Sequence, residues 1–271
     1  MKYAAALAAL ATAVLAVPNG IIDLGDGVKL VPREPRAAQR LEALRAMRRG
    51  LKITDGDNDA AAATNNTEAS YSTNWSGAVQ IGTGYDSVSG TIVVPTPSVP
   101  DGGSSLKQYA ASAWVGIDGD TCTTAILQSG VDFYAGRGGV SFDAWYEWYP
   151  DYAYTFSGFS ISAGDTIVMN VEATTKKSGT VTLENTTTGK TATHTFSAQS
   201  DSLCEYNAEW IVEDFQSGLS LVPFADFDSV TFTDCSPSVS GSTIIDIRQS
   251  GTVLTSCSTS GTTEVTCDYI G

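Results

Sequence analysis

Four short stretches of this sequence set acids, an amide and tryptophans at alternate positions. In FDAWYEWYP they are Asp143, Trp145, Glu147 and Tyr149; in AEWIVEDF they are Glu209, Ile211, Glu213 and Phe215. In AWVGIDGD they are Trp114, Gly116 and Asp118; in AILQSGVDF they are Ile126, Gln128, Gly130 and Asp132. Residues two apart on an extended strand share a face. Four such strands together make a groove of carboxylates, one neutral amide and indoles. A carboxylate there can act as general acid or base, and an amide N–H can donate to a developing oxyanion. Two other classes use the same side chains. A β-sandwich glycosidase would work with paired carboxylates, here Glu147 and Glu213, among stacking aromatics. A carbohydrate-binding domain would use the aromatics without turnover.

Other chemistries lack their parts. His194 is the only histidine; it alternates with threonines in KTATHTF, which puts it on the solvent face of a strand. One imidazole so placed cannot serve a Ser-His-Asp or Cys-His apparatus. The chain has no His-Glu-x-x-His and no Cys-x-x-Cys, so no metal site is expected. No glycine-rich phosphate loop follows a strand, so no nucleotide cofactor is expected either. Asp-Thr-Gly and Asp-Ser-Gly are absent, and with them the aspartate pair of pepsin-like enzymes. DGDND at 55–59 begins like a calcium loop without the glycine and glutamate that should follow.

The elements that must hold these groups are short and β-branched. SGTIVVP, TIVMNVEATT, GTVTLENTT, KTATHTFSA, SVTFTD and STIIDIRQ are separated by Gly, Ser, Asn, Asp and Pro. That texture predicts an all-β, antiparallel sandwich or barrel over residues 71–271, with no long helix after residue 70. About 200 residues of such strands can enclose a sizeable core. Upstream, MKYAAALAALATAVLAVP has Lys2, an apolar run and a small-residue site after Ala16. It reads as a signal peptide, residues 1–16, because the run is shorter than the ~20 residues of a membrane span. Leu41, Leu44, Met47 and Leu51 then fall at helical spacing among arginines, followed by the polar stretch TDGDNDAAAATNNTEAS. Residues 17–70 are therefore expected to be a basic leader and linker, ending between 53 and 72.

Charge divides the chain at the same place. The 271 residues carry 15 Lys and Arg against 30 Asp and Glu, a net charge of −15. Residues 1–52 hold nine basic and four acidic side chains, a net +5, so the remainder stands at −20. A body this acidic repels nucleic acid and suits an acidic medium, in which its self-repulsion fades. A basic leader on an acidic body suggests a propeptide that covers an acidic site. The five cysteines, in a secreted chain, point to disulfides. Cys257 and Cys267 bracket a short turn, Cys122 and Cys204 would tie distant strands, and Cys235 is left over in the interior.

Six blocks of the chain are together distinctive: NWSGAV (74–79), AWVGIDGDTC (113–122), AILQSGVDFY (125–134), DAWYEWYP (143–150), NAEWIVEDF (207–215) and VPFADF (222–227). In this order they resemble the glutamic peptidases, the eqolisins, which are secreted fungal acid proteases insensitive to pepstatin. The resemblance implies a sandwich of two large antiparallel sheets of concanavalin or jelly-roll type, and an endopeptidase made as a zymogen. It implies a catalytic pair: Gln128 from AILQSG, and Glu213 from IVEDF rather than Glu209, a choice that periodicity alone leaves open. It places Trp75, Trp114, Asp118, Asp143, Trp145 and Glu147 in the substrate cleft. Its partners would be polypeptide substrates and its own propeptide, and it would act as a secreted monomer away from membranes. The chain departs from some relatives after EDF, where QSGLSLVPF is short and free of cysteine.

Overall fold

The structure is a computed structural model. It describes residues 70–217 and 220–271, and two short strands further upstream. The expected signal peptide 1–16, the basic helix near Leu41–Leu51 and the linker lie outside the described residues. No described helix is long and apolar enough to cross a membrane.

Every regular element among the described residues is a strand. The first are β1 (Ile22–Asp23), β2 (Lys29–Leu30), β3 (Ser70–Ser72), β4 (Trp75–Ile81), β5 (Ser87–Val93), β6 (Gln108–Ile117) and β7 (Ile126–Gly136). There follow β8 (Ser141–Tyr149), β9 (Tyr154–Thr155), β10 (Thr166–Thr175), β11 (Ser178–Asn185), β12 (Lys190–Phe196) and β13 (Asn207–Glu213). The last are β14 (Gln216–Ser217), β15 (Ser220–Leu221), β16 (Ser229–Ser236), β17 (Thr243–Gln249), β18 (Thr252–Val253), β19 (Thr255–Ser260) and β20 (Glu264–Tyr269). One sheet has seven strands in the order β12-β11-β10-β5-β16-β20-β19. The other has nine, in the order β18-β17-β4-β13-β6-β7-β8-β9 with β3 beside β17. The β3–β17 pair is parallel; the other pairs in both sheets are antiparallel.

The sequence writes this sandwich as a period of two. In β10, Ile167, Met169, Val171 and Ala173 are buried, while Asn170 and Glu172 are exposed. In β6, Ala111, Ala113, Val115 and Ile117 enter the core between the sheets. Ser112, Trp114 and Gly116 therefore face away from it. Trp210 from β13 pegs the layers together, its indole N–H donating to the Ser89 carbonyl of β5 at 2.8 Å.

His194 does not face solvent, contrary to the reading of KTATHTF. It pairs with buried Val181, so Thr191, Thr193 and Thr195 take the wet side of β12. The imidazole stacks on Tyr146 of the other sheet at 4.1 Å and meets Phe196 edge-on at 4.6 Å. Burial there lowers its pKa. Threonine tolerates the solvent face of a strand better than an apolar core does, which leaves the inner face to the ring.

Asp118 locks the segment that carries the site. It sits at φ 67° and is fully buried. Its Oδ2 accepts from the backbone N–H of Cys204 at 2.7 Å and Glu205 at 2.9 Å. Its Oδ1 accepts from Tyr206 at 2.7 Å and Asn207 at 3.2 Å. Burial pushes the carboxyl above its usual range, and the four N–H donors oppose that shift. Asn207 answers from the other side: its Oδ1 accepts from Thr121 N at 2.9 Å and Cys122 N at 3.3 Å. A Cys122–Cys204 disulfide, 82 residues apart in sequence, closes the same junction. Closing so long a loop is worth about 4–5 kcal/mol in chain entropy. Cys257 and Cys267 are cross-strand partners in β19 and β20 and are also joined. Cys235 keeps a buried thiol. Asn74 and Asn185 are buried too, and Asn185 Nδ2 already donates to Asp165 at 2.8 Å, so neither amide is open to a glycan.

Asp118→Ala takes the acceptor from four backbone N–H groups, that of Asn207 buried and the other three part-buried. At about 1–3 kcal/mol per unsatisfied group, partly relieved by relaxation, denaturant unfolding should show a loss of at least about 3 kcal/mol. A loss under about 1 kcal/mol would contradict the clamp.

Two buried acids set a pH window. Burial pushes Asp214 up to about 8 and Asp246 up to about 6, from an ordinary 3.8. Neighbouring Glu213 adds to the first shift, and the amide of Gln249, 2.7 Å from Asp214 Oδ2, opposes it. The folded state holds these protons more tightly than the unfolded chain does. Their stabilisation is therefore complete below pH 3.8 and is lost as pH rises through about 6 and then about 8. Each group costs up to about 1.4 kcal/mol per pH unit inside its window. Melting temperatures should fall from acid toward neutral pH, and Asp214→Asn should flatten the fall between about 6 and 8. A wild-type profile that rises over this range would contradict it.

Candidate active site

The register of the nine-stranded sheet aligns the candidate residues in three rows on the face turned away from the other sheet. The first row runs Val79, Glu209, Gly116, Gln128, Glu147 across β4, β13, β6, β7 and β8. The second runs Gly77, Ile211, Trp114, Gly130, Trp145. The third runs Trp75, Glu213, Ser112, Asp132, Asp143. Rows two residues apart are separated by about 7 Å along the strands.

Gln128 and Glu213 occupy the first and third rows, on strands that flank β6. Trp114 lies on β6 in the row between them and spans that diagonal. Its indole N–H donates to Glu213 Oε2 at 2.9 Å. The far edge of the ring lies over Gly116: a Cβ there would stand 2.9 Å from Trp114 Cζ3 and 3.2 Å from Gln128 Cβ. Gly130 serves the same ring, since a Cβ at 130 would run into the Ala113 carbonyl and the Trp114 Cβ. Trp75 meets Trp114 edge-on at 4.9 Å and 76°. These two indoles form an apolar cluster with Ile126, Trp145, Tyr149 and Ile211.

Hydrogen bonds hold the polar groups on either side. Gln128 Nε2 donates to Glu147 Oε2 at 3.1 Å, while Gln128 Oε1 is buried and meets no donor among the described residues. Ser112 Oγ donates to Asp132 Oδ1 at 2.7 Å and accepts from Trp145 Nε1 at 3.1 Å. The Tyr134 hydroxyl donates to Asp132 Oδ2 at 2.9 Å. Glu209 Oε1 accepts from Asp120 N at 3.0 Å, which ties this glutamate to the 118–122 turn. Burial raises the Asp120 carboxyl.

Trp75, Trp114, Asp143, Trp145, Glu147, Gln128 and Glu213 thus share one face. Asp118 does not offer its carboxylate to that face: all four of its hydrogen bonds go to the 204–207 backbone. Its side chain builds the site instead of lining it. Ser112 was not singled out in the sequence. It stands two residues before Trp114 in ASAWVGID, so extending the alternation by one step would have found it. Asp118, Cys122 and Cys204 bring ligand atoms within 4.8 Å of one another, but the two sulfurs are spent on a disulfide.

Comparison with known proteins places the chain in a family. Residues 73–269 match the profile of the Peptidase A4 family. The chain is 52% identical over 240 residues to aspergillopepsin-2 of Aspergillus niger, covering 80% of this chain and 85% of that protein. It is 49% identical over 221 residues to scytalidopepsin B of Scytalidium lignicola, covering 76% of this chain and 81% of that protein. The crystal structure of scytalido-glutamic peptidase with a transition state analog inhibitor superposes with a TM-score of 0.67 at 46% identity, covering 73% of this chain and 98% of that one. The chain therefore belongs to the Peptidase A4 family, the eqolisins, and is a peptide-bond hydrolase.

Proposed function

We propose that this chain is a secreted acid endopeptidase in which Glu213 and Gln128 activate a water molecule against the scissile carbonyl. The observation that carries the reading is the Trp114 indole. It holds Glu213 by one edge, and its other edge shares the space over Gly116 with Gln128 Cβ, on a face where Gln128 Oε1 meets no donor among the described residues. A water held between Gln128 Oε1 and the Glu213 carboxylate gives a proton to Glu213 as its oxygen attacks the carbonyl carbon. The carbonyl π electrons pass to oxygen, and a Gln128 N–H donates to that oxyanion. Protonated Glu213 then delivers its proton to the amide nitrogen, the C–N bond breaks, and an acid and an amine leave. A preorganised oxyanion donor is worth about 10²–10³ in rate. A carboxylate can serve as a base in acid, where an imidazole would be fully protonated.

Membership of a peptidase family sets the glycosidase and carbohydrate-binding readings aside. Residues 1–16 as signal peptide and 17–70 as inhibitory leader complete the proposal. Residues 17–52 hold eight basic and four acidic side chains, a net +4, facing a body at −20. Acid protonates the body's carboxylates and loosens that attraction, so the leader is shed at low pH.

Gln128→Ala and Glu213→Gln should each abolish nearly all cleavage of denatured protein at about pH 3, with pepstatin present, while folding normally, since each removes one half of a transition state stabilised by about 3–4 kcal/mol or more. Retained turnover in either variant rejects the dyad. A purified precursor should convert to a shorter active form when brought to about pH 3, where carboxylates lose their charge. A precursor that stays intact there rejects self-processing.

A further inference from the structure

A side-chain amide has two ends of nearly the same shape, and only one orientation serves the reaction proposed above. The Gln128 carbonyl must face the water and an N–H must face the oxyanion. Turned over, the amide would set its oxygen where the donor is required. The edge of Trp114 that lies over Gly116 is carbon only, with neither donor nor acceptor to tell the two ends apart.

We propose that Glu147 is the positioning residue that fixes the orientation of the Gln128 amide. The two residues are direct cross-strand partners on β7 and β8. Both are fully buried, and Gln128 Nε2 stands 3.1 Å from Glu147 Oε2. While ionised, the Glu147 carboxylate is an acceptor only, so it takes an N–H and rejects a carbonyl oxygen. In a buried site a flipped amide would place two acceptors against each other and lose a charge-assisted hydrogen bond. The bond uses one of the two amide hydrogens. The other remains for the oxyanion, and Oε1 meets no donor among the described residues. Glu147 touches neither water nor substrate in this role: it acts through Gln128. The assignment rests on the dyad reading, and its failure can be told apart from that of the dyad.

The test combines orientation with kinetics. Neutron diffraction of the wild-type enzyme distinguishes nitrogen from oxygen and should show the Gln128 nitrogen, with its deuterons, facing Glu147. In Glu147→Gln the new amide can pair with Gln128 either way round, so kcat should fall about two- to five-fold with KM within about two-fold. In Glu147→Met, of similar volume and without an acceptor, kcat should fall at least about ten-fold, again with little change in KM. Melting temperatures report whether each variant is folded. If Glu147→Met does not fold, the neutron result and Glu147→Gln decide. Oxygen facing Glu147, an unchanged kcat in Glu147→Gln, or a loss carried by KM overturns the proposal. Gln128→Ala and Glu213→Gln, run alongside, isolate the dyad: full activity in those variants removes the dyad itself.

Discussion

The indole of Trp114 is hydrogen-bonded to Glu213 and reaches over Gly116 toward Gln128, and much of the nine-stranded sheet can be understood as the means of holding it there. Glu213 and Gln128 lie on different strands and in different rows, too far apart for either backbone to align the other. The ring crosses that gap. It needs two glycines, Gly116 and Gly130, to lie flat against the sheet, and a second indole, Trp75, to keep it from tilting. It also needs β6 to be gripped from both sides, by β13 and β7. A hydrogen bond of 2.9 Å thus draws on the packing of four strands, β4, β13, β6 and β7.

Loops close the frame. Asp118 and Asn207 interlock the turn after β6 with the segment before β13, and the Cys122–Cys204 disulfide crosses the same point. The arrangement fixes where β13 begins, and hence which face Glu213 presents six residues later at the end of the strand range Asn207–Glu213. Buried carboxyls such as Asp214 and Asp246 fit an acid-adapted protein: protonated, they lie in the interior at modest cost, and they weaken the fold only as pH rises.

Much of this was legible in the sequence, because strand alternation is strict. The faces shared by Trp114 and Gly116, by Gln128 and Gly130, and by Trp145 and Glu147 follow from a period of two, and the sheet register then only had to line them up. What alternation could not supply was register between strands. It left Glu209 and Glu213 equivalent, and only the resemblance of whole blocks separated them. It also could not say which face of a half-polar strand is inner, so His194 was placed outside. Nor could it reveal that Asp118 turns away from its row at the end of β6, because that depends on a positive φ and on a loop 86 residues downstream. Ser112 was hidden by being small and ordinary in type.

The central claim is that Gln128 and Glu213 together surround the reacting carbonyl. The most direct measurement is a crystal structure of the mature enzyme with a peptidyl ketone bound as its hydrate, whose two oxygens mimic the oxyanion and the attacking water. The account expects one oxygen within about 3 Å of Gln128 Nε2 and the other within about 3 Å of both Gln128 Oε1 and a Glu213 oxygen. A hydrate held instead by Glu209 or Glu147, with Glu213 beyond hydrogen-bond reach, would contradict it.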